Sequence, residues 1–225
     1  LSSNIIGSEI ILRPYQFCNL TEVVIRSTDT EQDLERKIAI ATILGTLQAT
    51  YTKFPYLRQV WQDNTDEERL LGVSLTGIMD NPLTTTANPE LPALLERLRE
   101  VSVMVNKEWA GKLGIKQSTA ITAVKPSGTV SQLVNSASGI HARHSEYYIR
   151  TVRGAFNDPL TQFMKDQGIP WEPCAHQPDT TVVFSFPQKS PKEAVLTENT
   201  TAIEQLDTWL AYQRHYCEHK PSVTI

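Results

Sequence analysis

The sequence predicts an α/β chain, because segments of strand character and segments of helical periodicity alternate along it. Three observations carry this. An apolar run at 71–79 has the length and composition of a strand buried on both faces. Leu34, Ile38, Ala41, Leu44 or Gly45, and Gln48 recur at helical spacing. A β-prone segment at 120–124 runs straight into a Ser/Gly-rich turn and a helix start. Strand followed by helix, repeated, is the order of an α/β barrel or an open parallel sheet.

Taken in order, residues 9–26 read as extended, interrupted at Pro14, with Leu20, Val23, Val24 and Ile25 as the strand-forming part. Thr28, Asp29 and Thr30 offer an N-cap to a helix over about 30–52, and Glu31 and Asp33 suit its first turn. A short helical turn is expected over 63–69. Asn88 and Pro89 open a long helix whose apolar face runs from Leu91 to Trp109 and which Gly114 closes. Residues 147–152 read as a strand. Asp158 caps a helix over about 159–167 ended by Gly168, and 180–186 alternates as a strand. A helix over 200–219 presents Ile203, Leu206, Leu210 and Tyr212 or Gln213, and 222–225 begins another strand, whose abrupt stop suggests truncation.

Composition excludes several classes. The chain has 225 residues, 40% hydrophobic and 20% charged, which suits a globular domain. A net charge of -4 makes no case for a nucleic-acid surface, and no apolar stretch is long enough for a membrane span. Neither a signal-peptide pattern nor an initiator Met is present, as expected of a processed or internal piece. Cys18, Cys174 and Cys217 are three widely spaced cysteines, which does not suit a secreted disulfide framework and points to a reducing cytoplasm.

Two places carry candidate chemistry. Pro126, Ser127, Gly128, Thr129, Val130 and Ser131 follow a strand and open a helix, where free amides and hydroxyls attract phosphate; a merely capped turn has the same look. The Gly-Lys-Ser/Thr ending of a Walker loop is absent. His141, Arg143 and His144 lie just beyond and suit an anionic substrate or a solvated polar turn. His-x-x-His lacks an evident third ligand, so no metal site is expected. Around Cys18, local context leaves a small core residue and a reactive thiol both open. Glu22 is equally open between buried, solvent-facing and catalytic roles.

The run Glu9-Ile10-Ile11-Leu12-Arg13-Pro14-Tyr15-Gln16-Phe17-Cys18-Asn19-Leu20-Thr21-Glu22-Val23-Val24 resembles the segment after the finger loop of adenosylcobalamin-dependent (class II) ribonucleotide reductases. So do 125–133, 136–141, 147–150, 158–163, 183–187 and the stretch from Tyr212 to Val223, in order and over nearly the whole chain. The runs 16–24 and 127–133 look more like class II than class I, which uses a separate radical-generating subunit.

The resemblance implies the second half of a ten-stranded α/β barrel of the ribonucleotide reductase and glycyl radical type. The whole of 1–225 would be one partial domain, with 1–26 as finger-loop end and following strand, and 120–150 as substrate phosphate loop and following strand. It implies reduction of ribonucleoside triphosphates or diphosphates to deoxyribonucleotides by thiyl-radical chemistry. Residue by residue, Glu9 matches the general base at the 3′-hydroxyl, Cys18 one of the two reducing cysteines, and Pro126 to Ser131 the phosphate loop. A buried Glu9 would have its pKa raised toward neutrality. Cys174 and Cys217 match no catalytic position and are left as structural.

The family pattern just before Glu9 is Asn-Pro-Cys-Gly/Ser-Glu, and here the sequence departs from it. The radical cysteine falls at Gly7 and the substrate-binding Asn at Ile5, with Asn4 one position away. The chain is therefore expected to be a fragment or split subunit, inactive alone. Its expected partners are the upstream half of the barrel, a ribonucleotide substrate and a thioredoxin-like or thiol reductant, with no nucleic acid and no membrane. Adenosylcobalamin would make most of its contacts outside this chain, in the cytoplasm of the cell or, for a phage-encoded protein, of its host. The alternative is a nucleotide-binding module derived from a reductase that no longer does radical chemistry.

Overall fold

The computed structural model describes residues 9–225. The positions at issue in the family pattern, Asn4, Ile5 and Gly7, lie outside the described residues. The chain divides into two compact units, one formed by 1–143 with 193–225 and the other by 144–192.

The larger unit is built on a parallel sheet. Strand β1 (Asn19–Val24) pairs with β2 (Leu71–Thr76), in register from Asn19 opposite Leu71 to Val24 opposite Thr76. Isolated parallel bridges continue the sheet outward, Val73 with Thr122 and Val124 with Pro221. The strand expected at 120–124 is thus present as two bridges, and that at 222–225 is reduced to the Pro221 bridge and the Ser222 amide, which donates to the Val124 carbonyl at 2.8 Å. Residues 9–18 hold turns and coil, and Tyr15 takes a left-handed φ of 61° beside Pro14. All six residues of β2 are buried, as its unbroken apolar character requires of a strand covered on both faces.

Helices cover the sheet. In α1 (Glu31–Gln48), Thr30 and Asp33 form a reciprocal capping box. Leu34, Ile38, Ala41 and Gly45 are buried, while Leu44 is exposed. A Cβ on Gly45 would lie 3.4 Å from the Leu71 methyls, so the helix packs closely on β2 at this point. Helix α2 (Gln59–Glu68) ends at Arg69 in a left-handed cap. Helix α3 (Leu91–Leu113) begins after Asn88 and Pro89, takes Pro92 into its first turn, and is closed by Gly114 at φ 65°. It buries Leu91, Leu94, Leu95 and Leu98 against the core. A four-residue helix α4 (Val130–Leu133) follows the serine loop.

The smaller unit is an antiparallel sheet in the order β3 (Tyr147–Ala155), β5 (Gln177–Lys189), β4 (Trp171–Cys174), with α5 (Pro159–Asp166) capped by Asp158. Strand β4 escapes sequence reading because Pro170 and Pro173 break its pattern, and proline is tolerated there because the strand is an edge. Cys174 is buried in this unit.

Helix α6 (Ala202–His215) belongs to the larger unit and corrects its expected face. Gln205, Thr208 and Tyr212 are buried, while Ile203 and Leu206 are exposed. Polar atoms on that buried face are satisfied: Tyr212 Oη donates to the Thr84 carbonyl at 2.8 Å, and Gln205 Nε2 to the Ile140 carbonyl at 3.2 Å. A face anchored by hydrogen bonds is invisible to an apolar-periodicity reading. The observed architecture is mixed α/β, with a parallel sheet in one unit and an antiparallel sheet in the other.

Candidate active site

Alternation along β1 divides its side chains between two faces. Val23 packs into the core beneath α1, and the methyl of Thr21 lies near Gly45. Leu20 and Glu22 point the other way, and Cys18 continues that spacing just before the strand. On the neighbouring strand, Gly72 lies opposite Leu20 and Ser74 opposite Glu22. A Cβ at Gly72 would sit 2.4 Å from a Leu20 methyl, 3.2 Å from Ile10 and 3.4 Å from Cys18 Sγ. The small residue therefore makes room for Ile10 and Cys18 to converge, which brings the Glu9 segment beside the thiol.

Glu9 is buried, at 7% exposure. Its Oε2 accepts from Lys125 Nζ at 3.1 Å, and its carbonyl accepts from the Lys220 amide at 2.9 Å. Burial pushes the carboxyl pKa up, but Glu9's own backbone amide, the Lys125 ammonium and Ser222 outweigh it and hold the group below the ordinary value. This reverses the expected direction: a buried carboxylate with a contacting cation is held ionised. Cys18 behaves oppositely. Burial pushes its thiol up to about 12, against a weaker pull from the charge of Lys125. At neutral pH the site presents a carboxylate and a protonated thiol.

The loop that follows is tied down from below. The Lys125 amide donates to Ser74 Oγ at 2.9 Å. Ser127 Oγ donates to Glu22 Oε2 at 3.0 Å and accepts from the Ser131 amide at 3.1 Å. The Ser127 carbonyl accepts from Ser138 Oγ at 2.7 Å and from Ser131 Oγ. Ser127 and Ser131 are buried, whereas Pro126, Gly128, Thr129 and Val130 are exposed. The six loop residues so divide into two holders and four presenters. Helix α4 has a single turn, and Thr129 gives it no side-chain cap, so the amides at its start act with little help from a helix dipole. Burial raises the Glu22 carboxyl, partly offset by the Ser127 hydroxyl.

Beyond the loop, Arg143 is a buried structural cation rather than an anion ligand. Its Nε and Nη2 reach Asp80 Oδ1 and Oδ2 at 2.7 and 2.8 Å, and its Nη1 reaches Asn135 Oδ1 at 2.9 Å. His141 is committed on both ring nitrogens, Nδ1 to the Ser138 carbonyl at 3.1 Å and Nε2 accepting from the Thr224 amide at 2.9 Å. Cys217 is buried in the core of the larger unit, where burial raises its pKa. Sequence reading placed Lys125 and His219 within matched runs without giving either a role, and did not mark Ser74 or Asp80. Lys125 adjoins the loop and was within reach of it; the others carry no local signal.

The geometry gathers a carboxylate, a thiol and a serine loop at the edge of one parallel sheet, on an α/β fold. That fold is found in a solved B-12 dependent (class II) ribonucleotide reductase, with a TM-score of 0.79, 24% sequence identity and coverage of 96% of this chain and 34% of that one. Among curated proteins, the chain is similar to the adenosylcobalamin-dependent ribonucleoside-triphosphate reductase of Euglena gracilis, 29% identical over 217 residues that cover 95% of this chain and 29% of the relative. The enzymes of the same name from Lactobacillus gasseri and Lactobacillus leichmannii are 29% and 27% identical, over 96% of this chain and 32% and 33% of their own lengths. No protein-family model matches the sequence. The chain spans about a third of the length of the curated relatives it matches, and its resemblance to adenosylcobalamin-dependent ribonucleotide reductases extends over nearly all of it.

Proposed function

We propose that this chain supplies part of the catalytic barrel of an adenosylcobalamin-dependent ribonucleoside-triphosphate reductase, acting in the cytoplasm. One observation carries the reading: Glu9, Cys18 and the loop from Pro126 to Ser131 all border Lys125, which contacts Glu9, acts electrostatically on Cys18 and immediately precedes the loop. In this reading 1–225 is one partial domain of a ten-stranded barrel. Pro126, Gly128, Thr129 and Val130 face the substrate phosphates, and Ser127 and Ser131 hold the loop in shape. Glu9, kept ionised, takes the proton of the 3′-hydroxyl. Cys18, kept protonated, is one of two thiols that become a disulfide and give up two electrons and two protons. The C2′–O bond breaks, a hydrogen replaces the hydroxyl, and the oxygen leaves as water.

Gly7 has no sulfur and Ile5 no amide, so the radical-bearing cysteine and the substrate-binding Asn come from another portion of the assembly, as does the second reducing cysteine. A thiol reductant then returns the disulfide to thiols. Adenosylcobalamin would supply the radical. Most of its contacts would lie outside this chain; His141 and His219, with both ring nitrogens hydrogen-bonded, are not among them as free imidazoles. No helix among the described residues is long and apolar enough to cross a membrane.

The test is reconstitution. The chain is expressed alone and together with an upstream portion carrying Asn-Pro-Cys, and each is given adenosylcobalamin, a dithiol and ribonucleoside triphosphates. Deoxynucleotide is expected from the assembly and not from the chain alone. Turnover by the isolated chain overturns the need for a partner, and an assembled complex that makes no deoxynucleotide overturns the reductase reading.

A further inference from the structure

We propose that Lys125 is a positioning residue, whose ammonium fixes the Glu9 carboxylate in one orientation and couples it to the serine loop. The inference rests on the reading of Glu9 as the base. The Lys125 backbone is held before its side chain is considered: its amide donates to Ser74 Oγ on β2 at 2.9 Å. Its carbonyl lies 3.1 Å from where a Cβ on Gly139 would stand, and Gly139 holds a left-handed φ of 54°, so glycine suits the turn that closes on it. Pro126 next in sequence restricts Lys125 to extended backbone. From this fixed root the ammonium reaches Glu9 Oε2 at 3.1 Å, with side-chain exposures of 22% and 9%.

Glu9's own amide and the Ser222 hydroxyl also lower the carboxyl, but neither carries a charge. His219, whose neighbour Lys220 binds the Glu9 carbonyl, has its pKa lowered mainly by burial. Cys18 is held as a neutral thiol. Glu218 is turned to the Ile121 amide at 2.8 Å, and Glu22 to Ser127 at 3.0 Å. Among the described residues, the ammonium is therefore the cation that faces the buried carboxylate. Removing it leaves Glu9 in a desolvating site, where a carboxyl takes up a proton at higher pH. Because the next six residues are the loop, any displacement of that loop by a bound triphosphate moves the root of the ammonium and so bears on Glu9.

The experiment reads Glu9 directly, by carbon-13 NMR titration of its side-chain carboxyl in the full 225-residue chain, with the resonance assigned through Glu9→Gln. Lys125→Met is expected to raise the midpoint by one pH unit or more, a tenfold change in proton affinity, and Lys125→Arg to restore most of the wild-type value. Lys125→Gln, smaller and polar, gives the same reading if the methionine variant does not fold. An unchanged midpoint in a folded charge-free variant overturns the proposal. A second titration with inorganic tripolyphosphate is expected to shift the Glu9 midpoint in the wild type and not in Lys125→Met; the same shift in both overturns the coupling to the loop. Neither readout needs turnover. Should Glu9→Gln leave the reconstituted reductase fully active, the reading of Glu9 as base fails while the NMR result stands.

Discussion

The guanidinium of Arg143 grips Asp80 through two parallel hydrogen bonds, 2.7 and 2.8 Å long, with side-chain exposures of 2% and 3%. Asp80 Oδ2 also accepts from the Ala137 amide at 2.8 Å, and Arg143 holds both Asn135 oxygens. This pair therefore anchors the turn that brings the chain back from the serine loop, in which Asn135 sits at a left-handed φ of 49°. Asp80→Ala leaves a buried guanidinium without its counter-ion and should cost about 3–5 kcal/mol. Urea denaturation measures it, and a loss under about 1 kcal/mol would show that the bridge is not a keystone. Arg143→Lys should recover little of the stability, because an ammonium cannot make the paired contact.

Ser127 shares one hydroxyl between Glu22 and the Ser131 amide. Ser127→Ala removes a donor and an acceptor together, and should destabilise the chain by about 1–3 kcal/mol. It should also raise the Glu22 carboxyl further, since the hydroxyl is what lowers it now. A double-mutant cycle with Glu22→Gln checks the pairing. Strictly additive effects would mean that the two side chains do not act on one another.

His219 links the start of the site to its end. Its Nε2–H donates to the Leu71 carbonyl at 2.8 Å, so Nδ1 is the acceptor for the Ile11 amide at 3.4 Å. That arrangement requires the neutral ring, and burial lowers its pKa. The unfolded ring, near 6.5, takes a proton first as pH falls, so stability is fully present above that value and declines below it toward the folded pKa. Thermal melts between pH 7 and 5 should show this decline, and His219→Gln should flatten it. Equal slopes in the two proteins would assign the acid sensitivity elsewhere.

Cys18, with its thiol held up to about 12, should alkylate slowly at pH 8, where roughly one molecule in ten thousand carries a thiolate. The rate with iodoacetamide should climb about tenfold per pH unit through pH 10 without levelling. A plateau near pH 8 or 9 would reveal an ordinary exposed thiolate and remove the basis for a proton-bearing donor. Cys18→Ser supplies the background from the other cysteines.

Sequence by itself determined what neighbouring residues decide among themselves. The capping boxes of Thr30 with Asp33 and Thr201 with Glu204, and the closing glycines 114 and 168, depend on contacts within one turn, and each was legible or bordered a legible helix. Ordered resemblance along the chain marked Glu9, Cys18 and the serine loop. Tertiary structure alone decided what those groups face. Glu9 meets Lys125 across 116 positions, Asp80 meets Arg143 across 63, and Ser127 meets Glu22 across 105. None of these pairs has a period or a local motif. Burial raises a lone carboxyl; here Glu9's own amide, together with Lys125 and Ser222, which only the fold brings near, turns the shift downward.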